Sequence, residues 1–469
     1  MFAALLTLAA PAAATAGPPG SWTKVSSPDQ LNASDLASLA RTDDGFLHVA
    51  WFRRIPSSST YDLLVNPVSP AGVVGRETPV ATGWVSLGGP TLLAFGNGLS
   101  LFFSGPETNT TGDPHDGLDL ATSSDRGVSW AVAPNAIAAG DFVSARDASV
   151  VAVDGTHYLE SWYAGRETVV HAGLDPLTPN QRGYGDGANQ NVASNAFTKP
   201  GALVAWCTGV QGANGVYVQP VDPHTGAPAG PVSLMPGSTV VRDGVAETFC
   251  PAAAKVPLIS MVAYDDNGHY LSSGYFVAST DANRQAVRVW RVGSKNAMTL
   301  AGGDTTKQYL ALANNSNGLG RLWVGWIEGE KLKLRRSNNA ATAFGKTVTV
   351  GSIPFGRGGV DALDLAGQGD RVDAVVRVTN ENNEVALYHT QSYPGLTLSA
   401  IGGQSAVFHV TDAGDPVSGA RIKVAGHSLT TNTQGRATVR LRPGHFTATV
   451  SKAKYVSDSA KLQIRAPRR

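Results

Sequence analysis

The chain is 469 residues long and contains 53 glycines, 27 prolines, nine tryptophans and only two cysteines. Glycine makes up about 11% of the chain, against roughly 7% in an average protein, which predicts frequent turns. The 37 lysines and arginines and the 36 aspartates and glutamates leave a formal net charge of +1. This balance argues against a nucleic-acid-binding protein, which needs a basic surface. The 42% hydrophobic content argues against a disordered chain.

The N-terminus has the pattern of a secretory signal peptide. Residues 2–10 form an apolar run too short to span a bilayer, which takes about 20 residues, and Ala14-Thr15-Ala16 has the small residues of a cleavage site. We predict that residues 1–16 are a signal peptide, although no basic residue precedes the apolar run; the alternative is an unprocessed apolar tail. No other uninterrupted apolar run of about 18 residues occurs, so we expect no transmembrane segment and a secreted or cell-surface protein.

Two cysteines are too few for a disulfide-scaffolded fold or a four-cysteine zinc site. Cys207 and Cys250 fall in neighbouring units of the sequence repeat, so a disulfide bond between them is feasible in an exported protein. The alternative is that both remain free, buried thiols.

A repeat is visible in the positions of the aromatic residues. A turn signal followed by alternating apolar residues recurs seven times, and the period of two within each segment is typical of a β-strand. The mean spacing is about 54 residues, within the range of propellers and repeat arrays. The seven segments end at Trp51, Phe103, Trp162, Trp206, Tyr264, Trp326 and Val376.

Further short apolar segments flank most of these strands. They precede them at 37–40, 90–95, 147–153, 309–313 and 360–366, and follow them at 61–68, 118–124, 167–174, 215–221, 331–337 and 384–390. Three or four antiparallel strands per unit predict an all-β, seven-bladed β-propeller over residues 17–394. A six-bladed ring, with one unit an insertion, is the alternative. The last unit has only three clear strands, and we expect residues 21–27 to supply its fourth.

One unit carries a specific turn motif. Residues 123–130 read Ser-Ser-Asp-Arg-Gly-Val-Ser-Trp, which fits Ser-x-Asp-x-Gly-x-Ser/Thr-Trp. This resembles the Asp box, or BNR repeat, of sialidase-like propellers. The resemblance implies a hairpin turn that begins at Ser123, in which Asp125 accepts backbone N–H bonds, Gly127 takes a positive φ and Trp130 packs beneath. Asp boxes are structural and lie away from the ligand, so the motif indicates the fold and leaves the chemistry open.

In sialidases, three arginines clamp the substrate carboxylate, because the guanidinium fork matches its geometry. The family's first arginine lies in an Arg-Ile-Pro motif ahead of the first strand. Here Arg54-Ile55-Pro56 follows the strand that ends at Trp51, which favours a chance match. Tyr184, Tyr275 and Glu247 are candidates for the nucleophile and its partner, but no pattern supports them. The catalytic residues therefore stay unassigned.

Propeller ligands usually bind where loops lead into the innermost strands, since side chains from several blades meet there at the central channel. In this sequence those loops carry the candidate ligand-binding residues Arg146, Asp147, Arg242, Asp304 and Arg357. Three arginines from separate blades can hold an anionic group, with an aspartate nearby for hydrogen bonding or proton transfer. The alternative is that these are solvated loop charges with local partners.

One acidic segment could hold calcium if its side chains converged. Asp113, His115, Asp116 and Asp119 lie close together in the sequence, but their spacing matches no defined calcium loop. A long polar hairpin connection is the favoured interpretation. We predict no metal site and no cofactor.

The composition changes after Pro394. Residues 395–469 contain 11 lysines and arginines against three aspartates, a net charge of +8. The order of turns and strands resembles carboxypeptidase regulatory-like and bacterial Ig-like modules, with matching positions at Asp412, Gly414, Pro416-Val417, Gly419-Ala420, Val424, Thr431, Gly435, Ala437, Leu441, Pro443-Gly444 and Tyr455. The resemblance implies a small, non-catalytic β-sandwich. Its charge could attract an anionic cell-wall polymer; a basic surface without a partner is the alternative.

Three functions fit these features. The favoured one is a secreted or cell-surface, non-catalytic propeller that binds a carbohydrate or other extracellular ligand, because no nucleophile pattern stands out. The first alternative is an exo-acting glycoside hydrolase of sialidase type that uses Arg146, Arg242 and Arg357 as the carboxylate clamp. The second is a structural adhesion or scaffold protein.

Overall fold

The structure is a computed structural model that describes residues 19–26, 37–108, 117–139, 149–152, 158–164, 167–172, 187–195, 201–208, 215–238, 241–242, 245–246, 259–264, 274–280, 285–314, 321–354 and 359–466. Among these residues every regular element is a β-strand, so the chain is all-β as the period-two patterns predict. No helix in these ranges could cross a membrane.

The first strands pair with their neighbours along the sequence. After the short strand β1 (Thr23–Lys24), sheet I contains β2 (Ser38–Arg41), β3 (Leu47–Ile55), β4 (Thr60–Val68) and β5 (Thr78–Trp84). Sheet II contains β6 (Gly88–Phe95), β7 (Gly98–Ser104), β8 (Gly117–Ser123) and β9 (Ala131–Ala139), and sheet III contains β10 (Ser149–Ala152), β11 (Tyr158–Ala164) and β12 (Glu167–Ala172). The pairings are antiparallel, as short connections between strands allow.

Four further sheets and one short hairpin follow. Sheet IV contains β13 (Gly187–Asn195), β14 (Gly201–Thr208), β15 (Gly215–Val221) and β16 (Ser233–Leu234), and the hairpin consists of β17 (Val241–Arg242) and β18 (Val245–Ala246). Sheet V contains β19 (Ile259–Tyr264), β20 (Gly274–Thr280), β21 (Val287–Arg291) and β22 (Met298–Ala301). Sheet VI contains β23 (Lys307–Ala313), β24 (Trp323–Glu328), β25 (Lys331–Arg336) and β26 (Val348–Ser352), and sheet VII contains β27 (Gly359–Gln368), β28 (Arg371–Thr379) and β29 (Val385–Ser392).

The first strands of these sheets contact one another in a ring. β2 contacts β6, β6 contacts β10, and the succession continues through β13, β19, β23 and β27, which contacts β2 again. Antiparallel sheets that radiate from a ring of inner strands form a β-propeller. The loops between first and second strands therefore lie on one face of the ring, and the loops that lead into the first strands lie on the other.

Apolar side chains fill the spaces between adjacent sheets. Trp51 packs with Leu64 of its own sheet and Val375 of sheet VII, and Trp326 packs between sheets V and VI. Gly325 permits the close approach of sheets VI and VII, because a Cβ there would lie 2.9 Å from Cδ1 of Leu365. Trp51, Trp206 and Trp326 lie on second strands and are at most 3% exposed, so these three repeated tryptophans are core residues. The side chain of Trp162 lies outside the description.

The predicted fourth strand of the last unit is present. β1 pairs antiparallel with β29, with Thr23 opposite His389 and Lys24 opposite Tyr388. The N–H of Val25 donates to the carbonyl oxygen of Leu387 at 2.8 Å. An N-terminal strand thus completes sheet VII, and the expectation for residues 21–27 is confirmed in this respect.

The repeat is out of phase at one place. The repeat predicts that the segment ending at Tyr264 is a second strand, but this prediction is wrong: β19 is the first strand of sheet V and pairs only with β20 among the described strands. The second strand is β20, whose Phe276 is fully buried. Both strands are short and apolar, so alternation alone does not distinguish inner from second position.

The C-terminal segment forms two further sheets. One contains β30 (Thr397–Ile401), β31 (Ala406–Asp412), β32 (Asp415–Pro416) and β35 (Arg436–Val439), and the other contains β33 (Arg421–Val424), β34 (His427–Thr430), β36 (Gly444–Ser451) and β37 (Asp458–Ile464). Both contribute to one hydrophobic cluster, in which Phe408 and Val410 meet Ile422 and Val450. The segment therefore has a core of its own.

Candidate functional site

Most of the predicted ligand-binding residues lie outside the described part of the chain. This holds for Arg146, Asp147 and Arg357, and also for Tyr184, Glu247, Cys250 and residues 113–116. Arg242, Cys207 and Tyr275 have described backbones on β17, β14 and β20, but their side chains lie outside the description. The convergence of the arginines and the Cys207–Cys250 disulfide therefore stay predictions.

Asp304 is the one predicted ligand contact whose side chain is described. It is exposed in the turn that leads into β23. The same turn contains a buried cation that the sequence did not single out. Lys307 donates from Nζ to the carbonyl oxygens of Thr305 at 2.6 Å and Gly302 at 3.3 Å, so it fixes the turn beside Asp304.

The arginine pair before Ile55 belongs to a strand rather than to a loop. β3 extends to Ile55, with Arg54 in register with Tyr61 of β4. Arg53 forms ion pairs with Asp62 at 2.9 Å and Glu77 at 2.8 Å. These contacts lie within sheet I and its neighbouring loop, so Arg53 has a local structural role.

The Ser123–Trp130 segment forms a tight turn between β8 and β9. Oδ1 of Asp125 accepts hydrogen bonds from the N–H of Ser129 at 2.9 Å and from Oγ of Ser123 at 2.8 Å, and Oδ2 accepts one from Oγ of Ser129 at 2.6 Å. These bonds favour the ionised carboxylate and lower the pKa of Asp125 to about 2. The turn is therefore organised around a carboxylate that remains charged.

Gly127 is required by this turn. Its φ is +79°, after +64° at Arg126, and a Cβ at Gly127 would lie 3.3 Å from Cδ1 of Leu99. The N–H of Gly127 donates to Oγ of Ser123 at 2.8 Å, and its carbonyl oxygen accepts from Nε1 of Trp130 at 3.2 Å. The tryptophan ring is thus fixed against the turn with part of its surface exposed.

A groove of about 440 Å³ opens beside the turn, between sheets II and III. Its rings are Phe95, Trp130 and Tyr158, and its hydroxyl groups come from Ser100, Thr122, Ser123, Ser124 and Ser129. We call this the aromatic groove. Phe95 and Trp130 are half-buried, so each has a part of its surface available to a ligand.

The deepest ring of the aromatic groove is rigidly held. Tyr158 is buried, and its hydroxyl group lies 3.0 Å from Oγ of Ser100. Its ring contacts Phe95 edge-to-face at 5.9 Å and Phe102 at 4.9 Å between centroids. Because Tyr158 belongs to sheet III and the others to sheet II, the groove exists only when the two sheets pack together.

The chemistry of the aromatic groove suits a neutral, polar ligand with apolar faces. Aromatic rings contribute apolar contact area, and hydroxyl groups both donate and accept hydrogen bonds. None of the described lining residues is charged. The groove therefore presents neither a carboxylate nor an imidazole for acid–base catalysis, among the residues described.

Sequence reasoning found Trp130 through the turn motif but missed Phe95 and Tyr158. Phe95 ends β6 and Tyr158 begins β11, positions at which the alternating pattern alone does not separate core from groove. A half-buried aromatic at the end of a strand next to a motif turn is the signal that could have indicated the site.

No protein-family model matches the chain, and no curated protein does. Solved structures with similar folds include an α-L-arabinofuranosidase from Fusarium graminearum, at 13% identity and a TM-score of 0.41, over 66% of this chain and 93% of that one. A Trypanosoma rangeli sialidase has 11% identity and a TM-score of 0.38, over 76% of this chain and 54% of that one. The β-propeller domain of the Pyrococcus furiosus Trilobed protease has 9% identity and a TM-score of 0.41, over 76% and 96%. All three TM-scores are below 0.5, so these structural similarities are weak.

Proposed function

We propose that this protein is a secreted, non-catalytic β-propeller that binds a neutral carbohydrate in the aromatic groove. The groove lies at the β6–β7 and β8–β9 turns, on the face opposite the loops that lead into the first strands, so the proposal departs from the expectation that an Asp box lies away from the ligand. The observation that carries the proposal is the composition of the groove, in which the rings of Phe95, Trp130 and Tyr158 lie beside serine and threonine hydroxyls without a described charged group. Sugars present C–H faces and hydroxyl groups, which match rings and hydroxyls respectively.

The proposal includes a seven-bladed ring over residues 17–394 and an Ig-like or regulatory-like β-sandwich over 395–469. Seven first strands that contact one another in succession support the blade number. The cluster shared by the two C-terminal sheets supports the sandwich. The Ser123–Trp130 turn has the hydrogen bonds expected of an Asp box, which supports a sialidase-like propeller.

Binding is tested with the full chain by isothermal titration calorimetry against a panel of neutral oligosaccharides. We expect at least one to bind, and Phe95→Ala to weaken that binding about tenfold or more, which corresponds to about 1.4 kcal/mol. Phe46→Ala is the matched control, since Phe46 is an exposed phenylalanine in the β2–β3 turn, outside the groove. If no oligosaccharide binds, or if the two variants weaken binding equally, the aromatic groove is not the binding site.

Catalysis is tested with chromogenic glycosides and a fluorogenic sialoside under the same conditions. We expect no turnover above that of buffer. Turnover abolished by Arg242→Ala would contradict the non-catalytic proposal and would favour the sialidase-type hydrolase.

A further inference from the structure

A second cavity lies where the C-terminal module meets the propeller. This cleft of about 540 Å³ is lined by four cations, Arg321, Arg336, Arg371 and Lys454, by the carboxylate of Asp370 and by the ring of Tyr455. We call it the junction cleft. Unlike the aromatic groove, it is lined mainly by charged side chains.

Two of the arginines form ion pairs with aspartates of the C-terminal module. Arg321 contacts Asp412 at 2.7 Å through Nη1 and Asp415 at 2.8 Å through Nη2. Arg336 also pairs with Asp412, and its Cζ lies 5.5 Å from the ring centroid of Trp323 and 5.7 Å from that of Tyr455. These contacts fix one wall of the junction cleft.

Arg371 has weaker partners than these two arginines. Its Nε lies 3.4 Å from Oδ2 of Asp373, which already accepts from Nη2 of Arg41 at 2.6 Å, while Oδ1 of Asp373 lies 2.8 Å from Nε2 of His389. Nη1 of Arg371 donates to the carbonyl oxygen of Pro70. Nε and Nη2 are buried and have no hydrogen-bond partner among the described residues.

Among the residues that the structure describes, the charges around the junction cleft do not balance. Five cations, Arg41, Arg321, Arg336, Arg371 and Lys454, share four carboxylates, Asp370, Asp373, Asp412 and Asp415. The excess positive charge falls on Arg371, whose side chain is only 14% exposed. A buried cation without full pairing is unfavourable, so an additional anionic group next to Arg371 would be stabilised.

We propose that the junction cleft binds the carboxylate group of a ligand. Nε and Nη2 lie on one edge of a guanidinium, and that edge forms two parallel hydrogen bonds with a carboxylate. Because Nε and Nη2 are buried, this binding requires the guanidinium of Arg371 to turn toward the cleft. Nζ of Lys454, which lies 2.9 Å from Oδ2 of Asp370, would pair with the same carboxylate. The ring of Tyr455 gives the ligand an apolar surface.

The test uses calorimetry on the full chain with glucuronate, oligogalacturonate and citrate, and with glucose as the neutral comparison. We expect at least one of the three anions to bind in the junction cleft. Any binding of glucose should be unaffected by substitutions in this cleft. Binding of the uronates alone identifies a sugar acid, whereas equal binding of citrate identifies a general carboxylate site. Failure of all three anions at low salt would overturn the proposal.

Arg371→Gln should weaken carboxylate binding about tenfold or more, and Arg371→Lys should restore only part of it, because lysine keeps the charge without the fork. Lys454→Gln, at an exposed position, tests the cleft independently if the Arg371 variants fail to fold. Lys423→Gln is the control, an exposed cation on β33 away from the cleft. Unchanged binding in folded Arg371→Gln, or in Lys454→Gln if the Arg371 variants do not fold, refutes the assignment. Phe95→Ala should leave carboxylate binding unaltered, which separates this test from that of the aromatic groove.

Discussion

Single residues determine the Ser123–Trp130 turn. Asp125 accepts three hydrogen bonds from residues at most four positions away in the chain, and Gly127 supplies the positive φ. All of these contacts are local in sequence. This is why a short motif predicts the turn geometry without knowledge of the rest of the fold.

The ionisation of Asp125 leads to a prediction about pH. Its pKa is about 2 in the folded protein, against about 3.9 for an unfolded aspartate. Because the folded pKa is the lower one, the ionised group stabilises the fold above the unfolded value, and this stabilisation is lost as the pH falls through the folded value. We expect the Tm difference between wild type and Asp125→Asn to be largest above about pH 5 and to shrink between about pH 4 and pH 2.

Thermal unfolding followed by circular dichroism across this pH range checks the prediction. Asp304→Asn, at an exposed turn position, is the control and should show little difference from wild type at neutral pH. A Tm difference for Asp125→Asn that is the same at pH 6 and pH 2.5 would contradict the role of the ionised carboxylate.

At the level of elements, alternation located most first and second strands but missed outer strands such as β5, β9, β22 and β26, and it did not always give a strand's place in its sheet. The segments before Trp51, Phe103, Trp206 and Trp326 are second strands as expected. The segment before Tyr264 is a first strand. The position of a strand within its sheet depends on which strands it pairs with. This pairing uses backbone hydrogen bonds, which depend little on side-chain identity, so the sequence pattern does not predict it.

The N-terminal strand of sheet VII offers a test at this level. Oγ of Ser26 accepts the N–H of Leu387 at 2.8 Å in a buried position. Ser26→Ala would leave this backbone donor unpaired, and we expect a loss of about 1–3 kcal/mol in the free energy of unfolding. Denaturant unfolding measures the loss, and hydrogen exchange should show faster exchange at the Leu387 amide.

Ser58→Ala is the matched control for that variant. Ser58 lies in the exposed β3–β4 turn, where its hydroxyl group contacts Thr60 at 2.6 Å. A change of less than about 0.5 kcal/mol is expected there. Equal losses in the two variants would argue against a stabilising role for the N-terminal strand.

At the level of the whole molecule, the C-terminal module is held to the propeller by buried ion pairs. Asp412 is 1% exposed and contacts both Arg321 and Arg336 of sheet VI and its preceding loop. At the edge of the contact, Lys346 pairs with Asp458 but is 55% exposed. The buried pairs should therefore contribute much more to docking than the exposed one.

Asp412→Asn should destabilise this contact by about 3–5 kcal/mol, because it leaves two arginines without their shared counter-charge. Differential scanning calorimetry should then show the module and the propeller melting in separate transitions. Lys346→Ala, the control at the exposed pair, should change the profile by less than about 1 kcal/mol. A single transition unchanged in Asp412→Asn would contradict docking through this network.

The sequence by itself determined the class of the fold. Period-two alternation, turn residues and recurring tryptophans follow from local geometry and from burial on both faces of a strand, so the all-β propeller and the Ser123–Trp130 turn could be inferred from them. The change of composition at Pro394 likewise indicated a separate C-terminal unit. These properties depend on residues that lie close together in the sequence.

Only the tertiary structure decided where side chains from distant segments meet. Phe95 and Tyr158 lie 63 positions apart in the chain and Arg371 and Lys454 lie 83 apart, yet each pair lines one cavity. The excess charge at Arg371 likewise depends on which carboxylates its neighbours already occupy. Such contacts depend on how sheets pack and domains dock. The local sequence pattern carries no information about the spatial distance between residues that are far apart in the chain.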